Sequence, residues 1–177
     1  MKRSYSLVLI AAAILSGCNK ADRVTSPETT GFTPIPRAAT QTLRGTVIQN
    51  PTQEILPQLA LKLDDGSEVG LVGQGAAALA SVLGAQVEVS GSAPTDFVIA
   101  EAAIDVDRFV VLSVGGTDVS DGTLTYVADG VYALNLTSGG TRQIIDPAGA
   151  LAEYVGDRLW LALADDGSPM KFGIIQS

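Results

Sequence analysis

Apolar and polar residues alternate along most of the chain after residue 41. Leu59, Leu61 and Leu63 occupy every second position of one segment, and residues 159–163 repeat the pattern. A period of two is typical of a β-strand with one buried face. Short polar segments with Asp and Gly, such as residues 64–67, separate these stretches and predict tight turns. The pattern therefore predicts a mainly β protein.

Two segments break this alternation and predict short helices. Residues 76–83 are rich in Ala and Leu and are followed by Gly84, which is the residue type preferred just after a helix. Asp146 and Pro147 have the residue types preferred at an N-cap and at the first helical position. We therefore expect a second helix that ends at Val155.

The order of these elements repeats along the chain. Segments 79–89 and 151–161 lie 72 residues apart and share three identical residues and one apolar pattern. Each half has three strands, a short helix, a Gly and two more strands, which resembles the five-stranded oligonucleotide/oligosaccharide-binding (OB) barrel. The resemblance implies two small OB-like barrels, each with one short helix, in residues 42–115 and 118–177. The alternative is a single larger antiparallel barrel or sandwich.

The first residues have the order of a secretory signal. Lys2 and Arg3 precede an apolar stretch at residues 7–15, as the charged and hydrophobic regions of a signal peptide do. As a helix this stretch would cover about 14 Å, roughly half of the hydrocarbon thickness of a bilayer. The segment therefore predicts export of the chain and not a permanent membrane span.

The next residues, Leu15-Ser16-Gly17-Cys18, resemble the lipobox of bacterial lipoproteins. The resemblance implies a signal peptide of residues 1–17, cleavage between Gly17 and Cys18, and lipid attachment at Cys18. Several acyl chains would anchor the protein stably to a membrane. Because residue 19 is Asn and not Asp, the resemblance favours the periplasmic face of the outer membrane in a cell with two membranes. The alternative is an ordinary signal peptide that leaves Cys18 as a free or buried thiol.

Residues 18–41 predict a lipidated N-terminus followed by a flexible tether. The segment is rich in Thr, Pro and Ser and has few large apolar residues. Such a composition cannot bury enough surface to offset the entropy of ordering. A chain of this length reaches about 25 to 30 Å on average, which would lift a domain clear of lipid headgroups.

Composition and charge exclude several function classes. The 177 residues include no His and one Cys, so there is no Ser-His-Asp set, no internal disulfide and no iron-sulfur cluster. Without residues 1–17 the chain has 9 Lys+Arg against 19 Asp+Glu, a net charge of about −10. That charge repels phosphate backbones, so we expect no nucleic-acid partner despite the OB resemblance.

Acidic residues near turns and strand ends are the only candidates for a metal site. We expect these residues to form turns, because Asp-Gly is preferred in hairpins and no EF-hand spacing occurs. A calcium site is the alternative, and we predict neither a metal nor a cofactor. The candidates are Asp64 with Asp65, Asp105 with Asp107, Asp118 with Asp121, and Asp165 with Asp166.

Four aromatic residues of the second unit are candidates for a ligand-binding patch. Trp160, Tyr126, Tyr132 and Tyr154 lie on or near predicted strands, where they could form a platform that stacks on sugars. The alternative is that each of them is a half-buried residue of the sheet.

These observations predict a lipid-anchored cell-envelope protein with a non-catalytic binding or structural role. The expected partners are the membrane, through Cys18, and an envelope protein or glycan. One alternative is an envelope hydrolase that uses two carboxylates with separated pKa values in a cleft. Another is an anchored inhibitor or assembly factor of a larger complex.

Overall fold

A computed structural model describes residues 39–50, 58–94 and 102–176. Within these residues eleven strands form two sheets, which confirms the mainly β prediction. All described residues, and therefore both OB-like units, belong to one compact body. None of the helices among them is long and apolar enough to cross a membrane.

The first sheet and the helix α1 come from the N-terminal half of the described residues. Helix α1 continues into one 3-10 turn, Ala80–Val82, in agreement with the helix predicted there. The elements are β1 (Gln41–Gln49), β2 (Leu59–Leu63), β3 (Glu68–Val72), α1 (Gln74–Leu79), β4 (Gln86–Ser92), β5 (Ala103–Val114) and β6 (Thr117–Asp118).

This first sheet closes into a barrel. Its strand order is β3-β2-β1-β4-β5, with the short β6 beside the end of β5. The barrel closes because β3 also pairs with β5, in parallel, from Gly70 opposite Ala103 to Val72 opposite Asp105. An α-helix between the third and fourth strands completes the OB-like order, which confirms the expected architecture for the first unit.

The second sheet has the same strand order but a weaker closure. Its order is β9-β8-β7-β10-β11, which matches the first sheet strand for strand. The first sheet closes by a short ladder between β3 and β5. In the second sheet, one hydrogen bond links the end of β9 to the turn before β11, in which the Ile145 N–H donates to the Gly167 carbonyl at 3.2 Å. The second unit is thus an open version of the first. The strands are β7 (Ser120–Ala128), β8 (Val131–Leu136), β9 (Thr141–Ile145), β10 (Arg158–Leu163) and β11 (Pro169–Ile174).

The repeat seen in the sequence is also a repeat in the structure. The 3-10 turns Ala80–Val82 and Ala152–Tyr154 lie 72 residues apart, and a glycine follows each of them. Gly84 donates its N–H to a carbonyl of β1 at 2.8 Å, and Gly156 donates to the equivalent carbonyl of β7 at 2.9 Å. Two sheets with one strand order and one junction favour the tandem arrangement over a single larger barrel.

The second helix is shorter than the sequence predicts. In the predicted helical segment that ends at Val155, the structure forms only the 3-10 turn Ala152–Tyr154. Gly149 interrupts the segment in a left-handed conformation, with φ at +70°. Asp146 still acts as a cap, because its carboxylate accepts the Leu151 N–H at 2.8 Å, but it holds a tight loop instead of a helix.

Each unit has its own apolar core, and the second unit also contributes to the first core. Ile175 is only 4% exposed and belongs to the core of the first unit, against which Val119 and Trp160 also pack. The core of the second unit includes Leu151, which the loop after β9 places there. The two units therefore share a contact in which apolar side chains of one complete the core of the other.

A buried ion pair of the second unit bonds to the backbone of the first unit at this contact. The Asp121 side chain has no exposed area and pairs with Arg158 at 2.7 Å. The same carboxylate accepts the Val111 N–H of β5 at 2.8 Å and the Thr137 hydroxyl at 2.9 Å. Arg158 also donates to the Phe109 carbonyl at 2.7 Å and lies over the Phe109 ring, 4.2 Å from its centre. The network fixes β7 and β10 against the free edge of β5.

Candidate functional site

The residues predicted for export and anchoring lie outside the described residues. They are Gly17 and Cys18, at the predicted cleavage and lipid-attachment position. Lipid attachment at Cys18 therefore stays a prediction.

Two of the four candidate aromatic residues lie together. Tyr126 and Tyr132 are opposite each other on β7 and β8, and their rings meet edge to face with centres 6.1 Å apart. Tyr132 is buried in the core of the second unit, whereas Tyr126 is 56% exposed. Only one ring of this pair presents a large surface to solvent.

The other two candidates lie in different surroundings. Tyr154 packs edge to face on Phe172, with ring centres 5.1 Å apart. Trp160 packs against the core of the first unit, and its indole lies so close to Gly173 that a Cβ there would be 2.6 Å from Nε1. The structure thus brings Tyr126 and Tyr132 together, and it places Trp160 at the contact between the units.

Hydrogen bonds to acidic side chains raise the pKa values of two tyrosines, Tyr126 and Tyr154. The Tyr126 hydroxyl donates to Asp129 at 2.9 Å, and this bond, followed by desolvation, raises the pKa of Tyr126. The pKa of Tyr154 is raised mainly by its hydrogen bond to Glu153. Both side chains act as hydrogen-bond donors at neutral pH.

Two of the acidic segments form the same tight turn. The Asp65 carboxylate accepts the Ser67 N–H at 2.9 Å and its hydroxyl at 2.6 Å. Asp166 accepts the Ser168 N–H and hydroxyl at the same distances. These bonds, the hydroxyl first, lower the pKa of each carboxyl from its ordinary value of 3.8. The carboxylates serve the turns, as the sequence predicts.

The remaining acidic candidates do not converge. Asp105 and Asp107 lie exposed on β5, and Asp118 is exposed on β6. Asp121 is buried in the contact between the units, where its acceptors are used by protein donors. Within the described ranges, no group of three or more His, Cys, Asp or Glu side chains is arranged to hold a metal ion.

A Ser and a Lys three residues apart also occur near the start of β11. Ser168 and Lys171 have the spacing found in some serine acyltransferases and hydrolases. The Ser168 hydroxyl, however, donates to Asp166 in the turn, and Lys171 lies exposed on the strand. The Ser168 hydroxyl is therefore bonded within its turn, and not to Lys171 as a general base.

An apolar pocket of about 470 Å³ lies in the first unit, lined by described residues. It lies between α1 and the neighbouring ends of β1, β2 and β3. The floor is apolar and buried, and includes Leu71, Val72 and Ala76. Its full lining is Gln49, Gln58, Leu59, Leu71, Val72, Gly73, Ala76, Ala77, Ala80 and Leu83.

Small side chains on α1 and on the 3-10 turn after it line this space. Ala76, Ala77 and Ala80 face the strand ends, and Leu83, which is 50% exposed, stands at the rim. The side-chain amides of Gln49 and Gln58 are the polar side-chain groups of the lining. Sequence reasoning missed the pocket because an Ala-rich helix is equally typical of a tightly packed one. The signal that could have found it is the run of Ala on a helix beside larger strand residues.

The second unit has aromatic side chains at two strand positions equivalent to positions of the lining. Gly45 of β1 and Gly122 of β7 occupy equivalent positions. Each lies opposite a residue of the next strand of its sheet, which is β2 in the first unit and β8 in the second. Four residues further along each strand, Gln49 opposite Leu59 in the first unit corresponds to Tyr126 opposite Tyr132 in the second. The fold therefore accommodates large rings at these two strand positions.

No protein-family model, curated protein or solved structure matches this chain. The fold and the pocket define the class of the protein as a tandem OB-like β protein with an apolar cavity in one barrel.

Proposed function

We propose that this chain is a lipid-anchored binding protein of the cell envelope, and that the pocket of the first barrel holds its ligand. The observation that carries the proposal is the pocket itself, an apolar cavity of about 470 Å³ with two amides among its lining. Ligand sites of proteins are typically concave and mostly apolar, with volumes of about 300 to 1,000 Å³ and a few polar groups.

The lining favours binding over catalysis. Among the described residues, its side chains include no carboxylate, hydroxyl, thiol or cation. An amide neither gains nor loses a proton near neutral pH, so Gln49 and Gln58 offer hydrogen bonds but no general acid or base. The buried acids elsewhere, Asp121 and Asp146, accept main-chain N–H groups, which argues against the carboxylate hydrolase alternative.

The same lining indicates the chemical class of the ligand. Because none of the described residues in the lining is charged, an ion would lose its hydration there without compensation from them. An apolar molecule with an uncharged hydrogen-bonding end would bury its apolar part against Leu71 and Val72. Its polar end would then face the amides of Gln49 and Gln58.

The anchoring part of the proposal depends on the N-terminal sequence. Cleavage before Cys18 and lipidation of its thiol and amine would hold the protein at the membrane, with the outer membrane as the expected location in a cell with two membranes. The test replaces Cys18 with Ala and follows the protein by cell fractionation. We expect unprocessed precursor to accumulate and no lipid-labelled product to form. Normal processing of the variant and its retention in the membrane fraction would contradict the assignment.

The ligand site is tested by filling the pocket with the side chain that the second unit uses. Leu59→Tyr places there the equivalent of Tyr132, whereas Lys62→Tyr adds the same ring at an exposed position of the same strand. The probe is N-phenyl-1-naphthylamine, an uncharged apolar fluorophore, titrated into the purified mature protein.

We expect Leu59→Tyr to weaken probe binding by about tenfold or more, which corresponds to about 1.4 kcal/mol. Lys62→Tyr should stay within about twofold of the unmodified protein. Equal binding by all three proteins, or none by the unmodified one, would contradict the proposed site.

A further inference from the structure

The last strand, β11, has a free edge, with which no other strand of the described residues pairs. In the first unit, the equivalent edge lies on β5 and is capped by the second unit. There the Asp121 carboxylate accepts the Val111 N–H at 2.8 Å, and Arg158 donates to the Phe109 carbonyl at 2.7 Å. The protein thus supplies its own cover for this edge once.

The registers show which residues of β11 are equivalent to the capped ones. Residues 87 and 89 of β4 correspond to residues 159 and 161 of β10 through the 72-residue repeat. Their partners are therefore equivalent, so that Phe172 corresponds to Phe109 and Ile174 to Val111. The pairs are Val87 with Val111, Val89 with Phe109, Leu159 with Ile174, and Leu161 with Phe172.

The backbone groups of these β11 residues point away from the sheet. Within the described residues, β11 pairs with β10 alone. Ile175 donates its N–H to the Arg158 carbonyl on the β10 side at 2.8 Å. Because successive residues of a strand direct their N–H and C=O groups to opposite sides, those of Phe172 and Ile174 face the free edge.

The side chains next to this edge are apolar and exposed. Met170 is 58% exposed and Ile174 is 41% exposed. Val111, which holds the place of Ile174 in the first unit, is only 1% exposed. A helix also covers the strand of the first unit, since a Cβ on Gly75 of α1 would lie 2.5 Å from the Val106 carbonyl of β5. The second unit has one 3-10 turn in place of that helix.

We propose that the free edge of β11 binds an extended segment of a partner protein, with apolar residues at every second position. A free strand edge beside exposed apolar side chains is the surface that an added β-strand recognises. In the first unit this edge is covered by groups of the protein itself, the side chains of Asp121 and Arg158, which favours a polypeptide over a lipid or a small molecule. Lys171, exposed on the same strand, favours an acidic residue in the partner segment.

A second copy of this chain fits the edge less well. The described residues carry more acidic than basic side chains, and copies with a net charge of about −10 repel each other. The free edge of β11 also lies in the second unit, so peptide binding there can be tested independently of ligand binding in the apolar pocket of the first unit.

The test is selection of displayed peptides, about ten residues long, on the purified mature protein, followed by amide hydrogen exchange with the selected peptide. We expect apolar residues to alternate in the selected peptides. On binding, exchange of the Phe172 and Ile174 amides should slow about tenfold or more, with little change at the Ile175 amide, which is already bonded within the sheet.

Substitutions separate this surface from other apolar positions. Met170→Asp and Ile174→Asp should each weaken peptide binding about tenfold or more. Val127→Asp, at a position 57% exposed on β7, should change it less than about twofold, as should the pocket variant Leu59→Tyr. The proposal is overturned if no peptide is enriched, if the selected peptides protect other amides, or if sedimentation shows self-association of the protein through β11.

Discussion

Removal of the Asp121 carboxylate tests whether the two units are held together as the contacts indicate. Asp121→Ala deletes the acceptor of the Val111 N–H, of the Thr137 hydroxyl and of two N–H groups of Arg158. The variant leaves a buried backbone donor and a partly buried guanidinium without this partner.

The expected cost follows from these contacts. A buried donor left without a partner costs about 1 to 3 kcal/mol, and breaking a buried ion pair costs about 3 to 5 kcal/mol. The Arg158 side chain is 28% exposed, so water can solvate part of it, and it keeps its bond to the Phe109 carbonyl. We therefore expect the free energy of unfolding to fall by about 3 kcal/mol, at the lower end of the range for a buried pair.

Urea unfolding of both proteins, followed by circular dichroism, measures this difference. The control is Arg44→Ala, which removes an ion pair with Glu88 whose side chains are 66% and 31% exposed. That loss should cost no more than about 1 kcal/mol. If Asp121→Ala costs as little as Arg44→Ala, the bonds of the Asp121 carboxylate do not stabilise the contact between the units.

The remaining predictions concern cooperativity, pH and backbone packing. Because the units share a contact, we expect them to unfold together, so that fluorescence of the sole tryptophan, Trp160, and far-ultraviolet circular dichroism report the same unfolding transition. Two separate unfolding midpoints would refute a shared core. The pKa values of Asp65 and Asp166 are lowered in the folded protein, so the two carboxylates stabilise their turns above pH 3.8, and this stabilisation is lost as the pH falls through the pKa values of the folded state. Carboxyl titration by NMR should give midpoints below 3.8 for both residues. A midpoint at or above 3.8 would contradict the turn bonds. Gly122→Ala should destabilise the protein by about 1 to 3 kcal/mol, since its Cβ would lie 2.3 Å from the Asn135 carbonyl oxygen; an unchanged urea midpoint would show that the strands can separate there.

The strands and their order were predictable because alternation is a local property of the sequence. Leu59, Leu61 and Leu63, for example, form β2 with the bounds that the pattern indicates. The second helix was not predictable from its N-cap signal, since Gly149 adopts a left-handed conformation and the Asp146 carboxylate holds a loop. A capping residue marks the start of a turn, and it does not by itself determine whether the turn continues into a helix.

The features that depend on distant residues were not predictable. Asp121 and Arg158 are 37 positions apart, and only the pairing of β7 with β10 brings them together. The pocket depends on the absence of large side chains where α1 meets the strand ends, and alternation contains no information about such a gap. The four aromatic residues share a sequence region, yet the faces of their strands direct Trp160 to the first core and Tyr132 to the second.

The central claim, that the first barrel holds an apolar ligand, is tested most directly by NMR of the complex with the uncharged naphthylamine probe. We predict intermolecular contacts from the probe to the methyl groups of Ala76, Ala77 and Ala80, and their loss in Leu59→Tyr. Contacts from the probe to Tyr126 and Tyr132, with none to α1, would contradict the account.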